Sequence, residues 1–327
     1  MRWFLVPVAF CLACSGGEPV EQEPGVLDPT VNGRSPIEVL EEQRFELGPR
    51  GSFSSRISVR VHLPERAVDA LPVLILNHDA SVATRQYTAL ANRLATWGFV
   101  VLVPTWDPPA TGLSGQRTHQ GLSDDLVALM DALQSDPLDL NYELFTDRIG
   151  LIGHARGAKQ VVHAAARSDH AGPLFLIGPT DATPRGQEGD DWPSVIPDRA
   201  ASVNQPTAIF DLPLAYDAVD GGSACIPEAL GTEAFFETLG GRSVRYTVVD
   251  GGLNEVLDDC ASGRGGSDCQ RCLEGDRPAF TRSAASTIAA GFFLQTLAAN
   301  PDAAGWVEGT IWREFFEDDD LDVLARQ

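Results

Sequence analysis

Apolar, strand-forming residues run into Gly153-His154-Ala155-Arg156-Gly157, and helix-forming residues follow at once. A strand, a G-x-nucleophile-x-G turn and a helix together form a device for chemistry. The turn is so tight that its central side chain is lifted clear of the sheet, where a serine hydroxyl can attack an ester carbonyl. Here the central residue is Ala155, which has no hydroxyl to add. A serine in that place also needs an acid and then a histidine, in that chain order. The six histidines are His62, His78, His119, His154, His163 and His170, and none follows the strand that begins at 173. Two parts of the expected chemistry are therefore missing independently of each other.

The elements that would position these residues follow from hydrophobic period. "SRISVRVHL" (55–63) alternates like a half-exposed strand, and "LPVLILNH" (71–78), "FVVLVPT" (99–105) and "DRIGLIG" (147–153) are continuous apolar runs suited to buried parallel strands. "PLFLIGPT" (173–180), "PTAIFDL" (206–212) and "SVRYTVVD" (243–250) complete the set. Helical spacing runs over 84–98, stopping at Gly98, over 122–136 with Ser123 as its cap, and over 280–298. Strands alternating with helices imply one doubly wound, mostly parallel α/β sheet, because parallel strands need crossovers. The closing "EFFEDDDLDVLARQ" reads as a solvated or capping amphipathic helix.

The chain has 327 residues, enough for one large domain, and a formal net charge of −22. That charge argues against nucleic acid and an anionic membrane surface as partners. Its only lysine is Lys159. The N-terminus carries Arg2, an apolar run from Trp3 to Ala13 and then Cys14, too short to span a bilayer but suited to a secretory signal. Cys11-Leu12-Ala13-Cys14 resembles a bacterial lipobox, which makes Cys14 the lipidated residue; a cleaved signal without lipid is the alternative. A Gly-, Pro- and Glu-rich stretch follows, as in a flexible tether. In an exported chain the even set Cys225, Cys260, Cys269 and Cys272 favours two disulfides of unspecified pairing, with zinc on the last three as the alternative.

With these residues in place, "LILNHDASVATRQYTALANRLATWGFVVLVPTWD", "DRIGLIGHARGAK" and "SACIPEALGTEAFFETLGGRSVRYTVVDGGLNEVLDDC" resemble the chlorophyllase group of α/β-hydrolases and related bacterial esterases and polyester hydrolases. The resemblance implies an α/β-hydrolase fold and carboxylic ester hydrolysis by a Ser-Asp-His triad. Carried over residue by residue, the nucleophile position falls on Ala155 and the histidine position on Leu253. The acid falls on Asp181 or Asp211. The oxyanion-hole N–H groups fall on Arg156 and Ala80, with the Asp79 carboxylate close to them. His78, Asp79, Trp106 and His154 are candidate pocket residues; Asp107 beside Trp106 shares its place at the strand end. The acids of "DGGLNEVLDD" have enough oxygens for calcium, but their spacing is not that of an EF-hand, and solvated loop acids are expected.

The expected organisation is a lipoprotein-type signal peptide (1–13), a tether (14–35), an α/β-hydrolase domain (36–300) and an acidic C-terminal tail (301–327). The expected function is that of an exported, lipid-anchored binding or scaffold module of the cell envelope. It has hydrolase ancestry and no triad, needs no metal or cofactor, and takes an apolar or ester small molecule or a protein partner. Two readings stand beside it: an active esterase with relocated catalytic residues, and a drifted relative without a ligand.

Overall fold

In the computed structural model the described residues are 27–47, 56–66, 70–79, 82–106, 118–135, 138, 140, 143–183, 189–218, 222–261, 272–308, 316 and 320–326. Among these residues nine strands form one sheet: β1 (Ile37–Glu46), β2 (Arg56–Pro64), β3 (Leu71–Asn77), β4 (Val100–Thr105), β5 (Leu144–His154), β6 (Ala171–Ile177), β7 (Thr207–Asp211), β8 (Ser243–Val248) and β9 (Leu321–Arg326). Their order is β1-β2-β4-β3-β5-β6-β7-β8-β9. The six strands from β4 to β8 in that order are parallel, while β1, β2 and β9 join antiparallel at the edges. This is the mostly parallel α/β-hydrolase-type sheet expected. The crossovers carry α1 (Thr88–Thr96), α2 (His119–Ser135), α3 (Arg156–Ala165), α4 (Asp198–Ala201), α5 (Thr232–Thr238), α6 (Asp258–Ala261), α7 (Pro278–Thr296) and α8 (Ala304–Glu308).

Because the central strands are apolar on both faces, each face needs a helical layer. On one, α1, α7 and α8 pack over Leu74, Val101, Phe175 and Phe210, with Phe175 in ring contact with Phe210, Phe292 and Phe293. On the other, α2, α3 and α5 cover Val73, Ile75, Leu151 and Leu174.

Four readings are corrected. First, β1 is a strand that hydrophobic period did not reveal. Its register shifts between Leu40 and Gln43, and Glu42 sits at φ 53, so a bulge breaks the alternation. Second, Ser123 is not a cap: α2 begins at His119, and the Ser123 hydroxyl donates to the carbonyl oxygens of His119 at 2.9 Å and Gln160 at 3.2 Å. Third, the C-terminal residues expected as a helix make β9, paired with β8 from Ser243↔Arg326 to Val248↔Leu321, which covers an otherwise open sheet edge. Fourth, residues 27–35 lie against the domain, although they were read as the end of the tether. The Trp306 indole N–H donates to the Leu27 carbonyl at 3.3 Å, and Gly33 N–H donates to the Thr96 hydroxyl at 2.8 Å.

Candidate functional site

The site starts at the junction of β5 and α3. Ala155 adopts φ 50, ψ −118, a conformation that costs on the order of 1–3 kcal/mol for a residue with a Cβ and persists only where the surroundings impose it. Here its N–H donates to the Ile177 carbonyl at 2.9 Å, and its carbonyl accepts from Ala158 N–H at 3.1 Å. The two flanking glycines have steric causes. A Cβ on Gly153 would collide with the Ala158 backbone, and one on Gly157 would lie 2.5 Å from the Asn77 carbonyl oxygen and 2.7 Å from that of His78. The Gly-x-Ala-x-Gly spacing is thus what lets β5 turn into α3 against the end of β3.

His154, beside Ala155, faces inward and is buried. Its Nε2 lies 3.0 Å from the Leu253 carbonyl oxygen and its Nδ1 2.7 Å from the Tyr87 hydroxyl. A carbonyl can only accept, so Nε2 is assigned the proton and Nδ1 accepts from Tyr87. The Tyr87 oxygen in turn accepts from Asp79 N–H at 3.3 Å. Burial lowers the His154 pKa and raises that of Tyr87 well above its ordinary value, so both stay neutral. Arg156 reaches over this core to hold Asp79 with two parallel bonds, Nε–Oδ1 at 2.8 Å and the second nitrogen to Oδ2 at 2.9 Å. Burial disfavours the Arg156 charge, but the bonds and charge of Asp79 outweigh it and its pKa rises. Asp79 is therefore neutralised by Arg156, whereas sequence reasoning placed an unopposed carboxylate there.

Ala155, Arg156 and Asp79 border a cavity of about 240 Å³ whose other walls include Leu253, Asn254 and Thr180. Leu253 is 5% exposed, and its side chain packs on Gly178, which lies at φ 46 beyond the end of β6. A disulfide between Cys225 and Cys272, 47 residues apart, forms part of the same wall. Cys260 is disulfide-bonded as well. With Cys260 and Cys272 both oxidised, the cysteine cluster does not offer the thiolates that the zinc alternative needs.

The two candidate acids differ in their duties. Asp181 forms a fully buried ion pair with Lys159, Nζ to Oδ1 at 3.1 Å, and accepts from Val195 N–H at 3.0 Å, Ile196 N–H at 3.3 Å and the Ser194 hydroxyl at 2.5 Å. Every lone pair is committed to holding the 194–196 turn onto α3. Asp211, at the end of β7, accepts from Leu212 N–H at 3.1 Å, the Tyr216 hydroxyl at 3.0 Å and the Thr247 hydroxyl at 3.2 Å.

His78 and Trp106 stand apart from the cavity wall. His78 donates from Nδ1 to the Asp79 carbonyl at 2.7 Å, with its pKa lowered by burial. The Trp106 indole donates to Asn77 Oδ1 at 2.7 Å, and the same amide donates to the Gly157 carbonyl and Gln160. Ala80, Asp107, Cys14 and Cys269 lie outside the described residues. Sequence reasoning missed Tyr87, Asn77 and Lys159 as parts of the site's frame. The one signal was the single lysine, placed one turn after the elbow.

Comparison with known proteins bears on this arrangement. The chlorophyllase family model matches residues 40–303. Chlorophyllase-1, chloroplastic, of Citrus unshiu is 24% identical over 234 residues, which cover 64% of this chain and 67% of the relative; the Citrus sinensis protein of the same name matches to the same extent.

Proposed function

Because the chain belongs to the chlorophyllase family, we propose that it keeps the pocket of an ester hydrolase without the Ser-Asp-His chemistry and serves as a binding or scaffold module. The observation that carries this reading is the pairing of Ala155 and Leu253 on one cavity: a methyl group stands at the apex of a strained elbow and a leucine stands opposite. No hydroxyl can be raised at residue 155, and the nearest imidazole, His154, spends both nitrogens on Tyr87 and Leu253. Leu253, Val82, Ala182 and the disulfide make one part of the wall apolar, and Arg156, Asp79, Asn254 and two threonines make the rest polar. An apolar or ester-like small molecule is the ligand class such a wall favours.

Export, with attachment through Cys14, belongs to the same proposal. The disulfides support it, since such bonds persist in oxidising compartments. Among the described residues no helix is long and apolar enough to cross a membrane.

Hydrolysis of short p-nitrophenyl esters tests the reading, with the unmodified protein, Ala155→Ser, Leu253→His and the double variant side by side. Removing either serine or histidine from a triad costs on the order of 10⁶ in turnover, so each single variant is expected to stay silent. Activity confined to the double variant is the expected result. Clear turnover by the unmodified protein would overturn the proposal and favour a relocated nucleophile.

A further inference from the structure

The wall of the cavity beside Ala155 holds a reactive group that ester chemistry does not use, the Cys225–Cys272 disulfide. Both cysteines lie outside helices and strands. Cys225 precedes Ile226, whose N–H donates to the Ala215 carbonyl at 2.9 Å. Cys272 opens a segment that packs on the Leu253 loop, where Glu255 accepts from Gly275 N–H. The bond therefore joins two loops across the cavity wall.

Its two sulfurs are not equivalent. Cys225 is half-buried, whereas Cys272 is 7% exposed. Asn254, which lines the same cavity, donates from Nδ2 to Cys272 Sγ at 3.5 Å. A disulfide sulfur is a weak acceptor, so this contact is long; a thiolate is a far stronger one. The amide thus stands where negative charge would appear if the bond broke towards Cys272. Asp79, the one acid among the described residues that line the cavity, is paired with Arg156 and does not repel an approaching anion.

We propose that Cys225–Cys272 is a redox-active bond, opened by a small thiol that enters the cavity. The thiolate RS⁻ attacks Cys225 Sγ, the more exposed sulfur. The S–S bond breaks, its electron pair leaves on Cys272 Sγ, and Asn254 donates to the thiolate formed. A second thiolate attacks the RS sulfur of the mixed disulfide and releases RSSR, with Cys225 as the leaving group. The two cysteines take up the protons of the two thiols, so two RSH are oxidised while one protein disulfide is reduced. Exposed disulfides are the labile ones, and a leaving thiol of lower pKa leaves faster. The step stands whether or not the pocket binds a ligand, because it uses only sulfurs of the wall and one amide.

The test is mild reduction of the folded full-length chain with 2-mercaptoethanol, quenched with iodoacetamide and read by peptide mass spectrometry. Cys225 and Cys272 should be alkylated while Cys260, 4% exposed and not on the described cavity wall, stays oxidised. The trapped mixed disulfide should sit on Cys225. Asn254→Ala should slow the reduction about two- to fourfold, and denaturing urea should erase that difference. A substitution that merely loosened the fold would speed reduction, so the sign separates the assigned role from a structural one. If Asn254→Ala does not fold, Asn254→Asp, of the same shape without the donor, should slow the reaction likewise. The proposal is overturned if no reduction occurs without denaturant, or if the Cys260 bond opens first or at the same rate. It is equally overturned if the adduct forms on Cys272, or if the Asn254 variant reacts as fast as the unmodified chain or faster.

Discussion

The His154 ring and the Leu253 carbonyl are joined by a 3.0 Å hydrogen bond that spans 99 residues of sequence. It ties the elbow to the loop that carries Leu253, and Tyr87 holds the ring from its other side at 2.7 Å. All three groups are buried, so no water is at hand to replace a lost partner. His154→Leu should leave a tyrosine hydroxyl and a carbonyl unsatisfied, lowering the unfolding free energy by roughly 2–5 kcal/mol. Urea denaturation measures this; a loss under about 1 kcal/mol would show that the bond between elbow and loop is dispensable.

Lys159 and Asp181, each 1% exposed, form a second buried link, here between α3 and the segment after β6. Replacing one member of such a pair strands the other charge. Lys159→Met should therefore cost about 3–5 kcal/mol even though methionine fills similar space. A near-neutral effect in chemical denaturation would mean that the Ser194, Val195 and Ile196 donors satisfy Asp181 unaided.

Acid stability follows from the buried histidines. Burial lowers the pKa of His62, His78 and His154, and lowers those of His119 and His163 to about 3, from an ordinary 6.5. Above pH 6.5 these groups are neutral folded and unfolded, so their contribution is complete and level. Below it the unfolded chain takes up protons that the folded chain refuses, and stability falls. Each histidine contributes a slope of up to about 1.4 kcal/mol per pH unit. Urea titrations at several pH values from about 8 to 5 should be flat and then decline; stability that rises on acidification across this window would contradict the assigned neutral states.

The central sheet was legible because each parallel strand is covered on both faces and must be apolar throughout: "LPVLILN" and "FVVLVPT" became β3 and β4 within a residue of their expected ends. Edge strands have no such obligation. β9 carries Asp322 and Arg326 along with its apolar residues, and "LDVLAR" is no less compatible with a helix until β8 offers it a ladder. The acidic loop misled for a related reason: charge predicts exposure on average, and only the approach of residues 272–275 buries Glu255.

The amino-acid sequence by itself determined the chemistry that residues 155 and 253 can offer, because a methyl and an isobutyl group cannot attack or take a proton in any fold. It also determined the turn between β5 and α3, since Gly153 and Gly157 are required by contacts within a few residues or with the adjacent strand. Only the tertiary structure decided which charges are matched and which are not. Asp79 found Arg156 across 77 residues and Asp181 found Lys159 across 22, whereas Glu255 keeps one backbone donor, the Gly275 N–H. The reason is physical: electrostatic cost depends on distance and exclusion of water, and neither exists along a chain until it is packed.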